Sequence, residues 1–185
     1  MNLEETELHS DRLILKRTNP QLHAKEINAV VCDSIETLSP WLPWAKEKPT
    51  VEETRKGLER VCADSCHYAF RLYLKPNMDL IGMTGIMLME NDNKNGSSSY
   101  EIGYWIHKNY VRKGYISEAV SCVLTFAVDC LHADLFKIVC NEKNIASQKV
   151  AAKLGFSMFG TRRDSSSLRP EWGEYTVVIY QKHVR

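Results

Sequence analysis

The chain has 185 residues, 44% hydrophobic and 25% charged, which is the make-up of one ordinary globular domain spanning 1–185. Lys plus Arg number 24 against 23 for Asp plus Glu, and a net charge of +1 argues against a dedicated nucleic-acid binder with a strongly basic face. The acidic, polar start MNLEETELHSDR lacks a signal-peptide pattern, and no apolar run approaches the ~18 residues of a membrane span, so a cytoplasmic protein off the membrane is expected.

The segment 12–17, RLILKR, alternates as a strand, and Leu22, Ile27, Val30 and Val31 give residues 20–31 helical spacing. LSPWLPWA then breaks the helix with two prolines. Thr50, followed three residues later by Glu53, is a capping-box signature for a second helix. HYAFRLYLK (67–75) and DLIGMTGIMLME (79–90) read as strands joined by Pro76-Asn77, and SYEIGYWIH (99–107) as a third. An amphipathic helix is expected from Ser117 to Leu131, a strand at 135–141 and a helix at 145–155 ended by Gly155. Segments 156–163 and 172–181 make a closing strand pair. NDNKNGSSS (91–99) and SSSLRPEWG (165–173) are polar loops. A run of strands followed by β-α-β-α-β predicts a mixed α/β fold, with about seven strands in a central curved sheet flanked by about four helices.

The six cysteines (Cys32, Cys62, Cys66, Cys122, Cys130 and Cys140) form no C-x-x-C pair, and buried free thiols are expected. The histidines form no H-x-x-x-H pair, so no metal is expected. Cys62-x-x-x-Cys66-His67 is the nearest approach to a ligand set, and it equally suits a helix end entering a strand. Neither G-x-x-x-x-G-K-[ST], G-x-G-x-x-G nor G-x-S-x-G occurs.

The informative stretch is YEIGYWIHKNYVRKGYISEAV (100–120), a strand and a helix joined by Arg112-Lys113-Gly114. A helix N-terminus offers unpaired N–H groups and a positive partial charge. Gly114 lets backbone approach a ligand, and Arg112 and Lys113 add cations, which together suit a diphosphate. A loop whose cations face water is the other reading.

YEIGYWIHKNYVRKGYISEAVSCVLTFA followed by IVCNEKNIASQKVAAKLGF resembles the acetyl-CoA core of the Gcn5-related N-acetyltransferases. SDRLILKR, LSPWLPW and EIGYWI resemble, more narrowly, the ribosomal-protein alanine and serine N-acetyltransferases. The likeness runs from about Ser10 to Tyr180 and implies one curved-sheet domain that uses acetyl-CoA. In that family a loop of pattern Q/R-x-x-G-x-G/A wraps the diphosphate. Val111, Arg112, Lys113, Gly114, Tyr115 and Ile116 occupy its positions here, with Val111 and Ile116 departing from it. The resemblance extends the cofactor contacts to Ser117, Asn144 and Lys153. It also implies that the strand carrying Trp105, Ile106 and His107 splays from its neighbour, with an N–H near Ile106 facing the thioester carbonyl.

Acetyl transfer to an amine needs a base, stabilisation of a carbonyl oxygen and a proton for the thiolate. Alternation puts Glu101, Gly103, Trp105 and His107 on one face of their strand and Ile102, Tyr104 and Ile106 on the other. Glu101, partly desolvated beside Trp105, is the expected base, acting through water; a solvated carboxylate at a strand start is the competing reading. Many relatives carry a tyrosine acid four residues before the glycine of the L-G-F turn, where this chain has Ala151. The resemblance instead implies Ser147 as acid, three residues after Asn144, although the pair also reads as an N-cap and a first-turn residue. Trp41 and Trp44 on a proline-stiffened loop, with Tyr175 and the 165–173 loop, are expected walls for the acceptor; the two tryptophans equally suit a cap on the core.

The expected activity is transfer of acetyl to a primary amine, with a protein N-terminal amine, as on a ribosomal protein, ahead of a small-molecule amine. A non-catalytic acyl-CoA-binding module is the rival class. The chain is read as a monomer or homodimer.

Overall fold

The structure, a computed structural model, describes residues 6–62, 67–89 and 98–184. Its strands are β1 (Glu7–His9), β2 (Leu13–Arg17), β3 (His67–Leu74), β4 (Asp79–Leu88), β5 (Ser99–Ile106), β6 (Leu135–Asn141), β7 (Ser157–Asp164) and β8 (Tyr175–His183). The helices are α1 (Pro20–Leu38), α2 (Val51–Cys62), α3 (Tyr115–Leu131) and α4 (Ile145–Lys153). One sheet takes the order β1-β2-β3-β4-β5-β6-β8-β7, and every neighbouring pair is antiparallel except β5 and β6. That parallel pair is joined through α3, the crossover that parallel strands require.

The helix starts follow from their caps. Asn19 Oδ1 accepts the N–H groups of Gln21 and Leu22, at 2.9 and 3.2 Å, with Pro20 opening α1. Thr50 and Glu53 close the expected capping box, the Thr50 N–H donating to Glu53 at 2.7 Å and the Glu53 N–H to Thr50 Oγ1 at 3.2 Å. α1 runs on to Leu38, past the expected Val31. Ile27, Val31 and Leu38 keep one apolar stripe on the sheet, although Cys32, Asp33 and Ser34 interrupt the pattern.

α3 and α4 cover one sheet face, where Leu15, Phe70, Ile102, Val120, Val123 and Ile138 form the main core. α1 and α2 cover the other, where Ile27, Val31, Leu38, Leu58 and Met83 form a smaller one with Trp105 at its edge. Each such aliphatic side chain contributes about 1.5–3 kcal/mol on burial. The split bears out the expected alternation of β5, with Ile102 and Tyr104 on the α3 side and Trp105 on the α1 side.

The sheet has eight strands where about seven were expected. The extra one is β1, three residues paired with Ile14–Lys16 and too short to show an alternation. α3 begins at Tyr115, two residues early. The expected buried thiols are corrected: the five described cysteines are free, but Cys130 is exposed and the other four are only half-buried. Cys130 lies in the last turn of α3, beyond its buried positions. Cys66 and residues 90–97, with most of the first polar loop, lie outside the described residues. Among the described residues no helix is long and apolar enough to cross a membrane.

Candidate active site

β5 pairs with β4 from Tyr100 to Ile106, but with β6 only at Ser99, Tyr100 and Glu101. Beyond Glu101 the two strands part. The His107 N–H donates to the Ile81 carbonyl and the Met89 N–H to the Ser99 carbonyl, both at 2.8 Å, which fixes the ladder's phase. Odd-numbered residues of β5 therefore bond to β4, while Tyr104 and Ile106 turn their N–H and C=O groups toward the parting. On the far side the Glu142 N–H bonds to the Thr176 carbonyl, so Val139 and Asn141 face the same gap from β6. Two rims of backbone polar groups thus line one opening, with Ile106 on the β5 rim. Trp105 instead uses its backbone toward β4. The His107 ring is held by Asp33 of α1, 2.7 Å away, so its imidazole is directed away from the opening.

At one end of the opening lies the mouth of α3. Arg112 (φ 60°) and Gly114 (φ 82°) are both left-handed, and Gly114 caps the helix with no side chain. The first-turn N–H groups are left for a ligand. A Cβ on Gly114 would stand 3.6 Å from both Lys153 Nζ and Arg12 Nη2, so Lys153 of α4 converges on the loop. Val111 is exposed beside it. Ile116, whose bulk departs from the family pattern, turns into the core, and Ser117 is buried with it. The loop's surface is thereby left to backbone and cations.

Glu101 is half-buried, opposite Met87 and beside Lys137. Burial raises its pKa above the usual carboxylate range; Arg162 and Lys137 pull it down, and Asp164 pushes it further up. Strand register carries the α1 face from Glu101 through Lys137 and β8 to Arg162, Asp164 and Tyr175. On that face Trp44 meets Trp105 edge-on, ring centroids 6.5 Å apart, and Trp172 meets Tyr175 at 5.6 Å. Arg169 ties the 165–173 loop down: Nη1 donates to the Ser39 carbonyl at 3.1 Å and the guanidinium lies over Trp172. Trp41 is partly exposed two residues beyond Ser39.

Ser147 lies on the opposite face. Asn144 Oδ1 accepts the Ser147 N–H at 3.1 Å, so the N-cap is made and the amide NH2 of Asn144 is left for a ligand. Tyr104 reaches across from β5 to place its hydroxyl 2.8 Å from Ser147 Oγ. Burial keeps that phenol protonated, well above the ordinary tyrosine range. Ala151, where many relatives have their acid, is fully buried.

Tyr104, Arg12 and Arg169 are the residues that sequence reasoning missed. Tyr104 was legible only as a core-facing position, and Arg12 was visible within SDRLILKR as nothing more than part of a resemblance. The arrangement suits a molecule with a diphosphate at the α3 mouth and an extended amide-bearing arm between β5 and β6. Carboxylate and hydroxyl then stand on opposite faces of the sheet, and the opening joins them.

The acetyltransferase (GNAT) domain model matches residues 12–157. The ribosomal-protein-serine acetyltransferase of Escherichia coli (strain K12) is 26% identical over 153 residues, covering 82% of this chain and 83% of that protein. Among solved structures, RimL, the ribosomal L7/L12 alpha-N-protein acetyltransferase in complex with coenzyme A, superposes with a TM-score of 0.80 at 22% identity, covering 95% of this chain and 96% of its own. The microcin C7 self immunity acetyltransferase MccE, in complex with acetyl-CoA and AMP, gives 0.81 at 19% identity, covering 95% and 94%. These two structural likenesses concern the fold. The chain belongs to the acetyltransferase (GNAT) domain family, an enzyme family that uses acetyl-CoA.

Proposed function

We propose that this protein acetylates the α-amine at the N-terminus of a protein, a ribosomal protein being the first candidate, in the cytoplasm. The reading is carried by one observation: a backbone-lined opening in the sheet has Glu101 on one face and Ser147 on the other. The E. coli relative, over four-fifths of both chains, supports this choice of acceptor.

Acetyl-CoA, when bound, supplies an acetyl thioester. Lys153, Lys113, Arg112 and the N–H groups at Gly114 hold its diphosphate, and the amide of Asn144 holds its arm. Glu101 takes a proton from the acceptor amine through water, a role that its raised pKa suits. The Ile106 N–H hydrogen-bonds the carbonyl oxygen as charge builds there. Ser147 gives a proton to the departing sulfur, and Tyr104 holds the Ser147 hydroxyl in place. Trp44, Trp105, Trp172 and Tyr175 wall the acceptor side and exclude water.

A second acceptor class, a small-molecule amine, is favoured by those two aromatic pairs, which grip a flat ring as readily as a peptide. The test is chromatographic detection of coenzyme A released from acetyl-CoA over peptides with different first residues, amino acids, polyamines and antibiotics. Peptide-selective release is expected. Release with small amines alone assigns the second reading, and silence with acetyl-CoA still bound assigns a binding module.

A further inference from the structure

Arg12 lies just ahead of β2 and far in sequence from α3, yet its guanidinium and backbone N–H are committed to the α3 mouth. Nε donates to Glu118 Oε2 at 2.7 Å, Nη2 stands 2.6 Å from the same oxygen, and Nη1 donates to the Lys113 carbonyl at 3.1 Å. Its guanidinium covers the Tyr115 ring at 4.3 Å, and its backbone N–H donates to Glu118 Oε1 at 2.8 Å. The Ser10 hydroxyl donates to that second oxygen at 2.6 Å. Burial alone would raise the pKa of Glu118; the hydrogen bonds from Ser10 and Arg12 overcome it and hold the carboxylate below its usual range.

We propose that Arg12 is the positioning residue of the diphosphate loop, fixing the peptide plane between Lys113 and Gly114 so that the Gly114 N–H points at the anion. This rests on acetyl-CoA being the donor. In a planar trans peptide the Lys113 carbonyl and the Gly114 N–H point in opposite directions. Anchoring the carbonyl on Arg12 therefore aims the amide the other way. The plane needs an anchor, because left-handed residues on both sides of Lys113, Arg112 and Gly114, take it out of any regular ladder. Glu118 cancels the charge of Arg12, so the role is geometric, and Arg112, Lys113 and Lys153 bring the net positive charge. A lysine at position 12 keeps a cation but cannot grip Glu118 and the Lys113 carbonyl together, since it has no planar fork.

The test measures binding of coenzyme A by calorimetry, and of pantetheine, which lacks the diphosphate, by NMR. Both ligands are titrated into the wild type, Arg12→Lys and Arg12→Gln. Losing one hydrogen bond aimed at a charged group is expected to raise the Kd for coenzyme A about tenfold in both variants. Pantetheine binding is expected to stay unchanged, and the Gly114 amide resonance to lose most of its displacement by coenzyme A. Equal weakening of both ligands reduces Arg12 to a structural residue and overturns the proposal. Recovery in Arg12→Lys but not Arg12→Gln overturns the geometric role in favour of charge. A wild type that ignores coenzyme A defeats the donor assignment itself, and the proposal with it. Should the Arg12 variants fail to fold, Glu118→Gln, which loosens the guanidinium but leaves it present, must show the same diphosphate-selective loss.

Discussion

The Tyr104 hydroxyl stands 2.8 Å from Ser147 Oγ and 3.3 Å from the Ser147 carbonyl, linking the strand that leaves the sheet's pairing to the first turn of α4. These two contacts let the phenol hydroxyl hold Ser147 Oγ in place beside the opening. Tyr104→Phe removes that hydroxyl and little else. It is expected to lower kcat about fivefold, matching ~1 kcal/mol for one neutral hydrogen bond, with coenzyme A binding retained. Because Tyr104 works through Ser147, the same change in a Ser147→Ala background should cost nothing further. Additive losses in that double variant place Tyr104 outside the proton path.

Glu101→Gln should leave coenzyme A affinity intact and reduce turnover about a hundredfold or more, the usual contribution of a general base. Burial raises the Glu101 pKa, so kcat/KM in the wild type is expected to climb with pH along a limb lying above the ordinary carboxylate range. The stability effect follows the same sign. A carboxyl whose pKa is raised by folding stabilises below its unfolded pKa and loses that contribution as pH rises through the folded value. Glu101→Gln should therefore melt higher than the wild type at neutral pH. An unchanged pH profile in the variant removes Glu101 from the chemistry.

Much of this was written plainly in the chain, and what was not has local causes. Thr50 with Glu53 makes a complete cap, Leu22, Ile27, Val30 and Val31 keep helical spacing, and β2 and β5 alternate, so those elements were legible, while β3 and β4 read as apolar runs. β1 spans three residues and shows no period. The tail of α1 carries Asp33, which pairs with His107 and Lys108 at 2.7 Å each, so tertiary contacts hold a segment with a broken apolar pattern. Gly114 and its cations were readable because they adjoin in sequence. Arg12 was not, because the sheet brings it to the loop from the far end of the chain.

Two glycines separate local strain from close approach. At Gly114 a Cβ would meet only ordinary contacts, 3.6 Å away, but φ 82° is left-handed, so Gly114→Ala should cost about 1–2 kcal/mol and weaken coenzyme A binding. At Gly82 a Cβ would lie 2.4 Å from the Trp105 carbonyl oxygen. Gly82→Ala must push β4 off β5 beside Ile106, with an expected loss of about 3 kcal/mol. Thermal melts and calorimetry rank the pair: Gly82→Ala is the greater loss of stability, and Gly114→Ala the more selective loss of ligand.

Trp44 is nearly half exposed, at 46%, and its ring meets Trp105 edge-on. Trp44→Ala should cost only ~1 kcal/mol of stability, the worth of one such ring pair. Its main effect is expected in a severalfold rise of KM for the acceptor amine at unchanged acetyl-CoA affinity. A rise in the acetyl-CoA KM instead assigns the tryptophan loop to the donor side.

The most direct measurement is mass spectrometry of the acceptor itself. A peptide chosen from the release panel, with a free α-amine and an internal lysine, is incubated with acetyl-CoA and either wild type or Glu101→Gln, and the site of acetylation is mapped by fragmentation. The expected result is one acetyl group on the α-amine with the wild type and almost none with the variant. Acetyl on the lysine alone, or equal modification by both proteins, contradicts N-terminal acetyl transfer driven by Glu101.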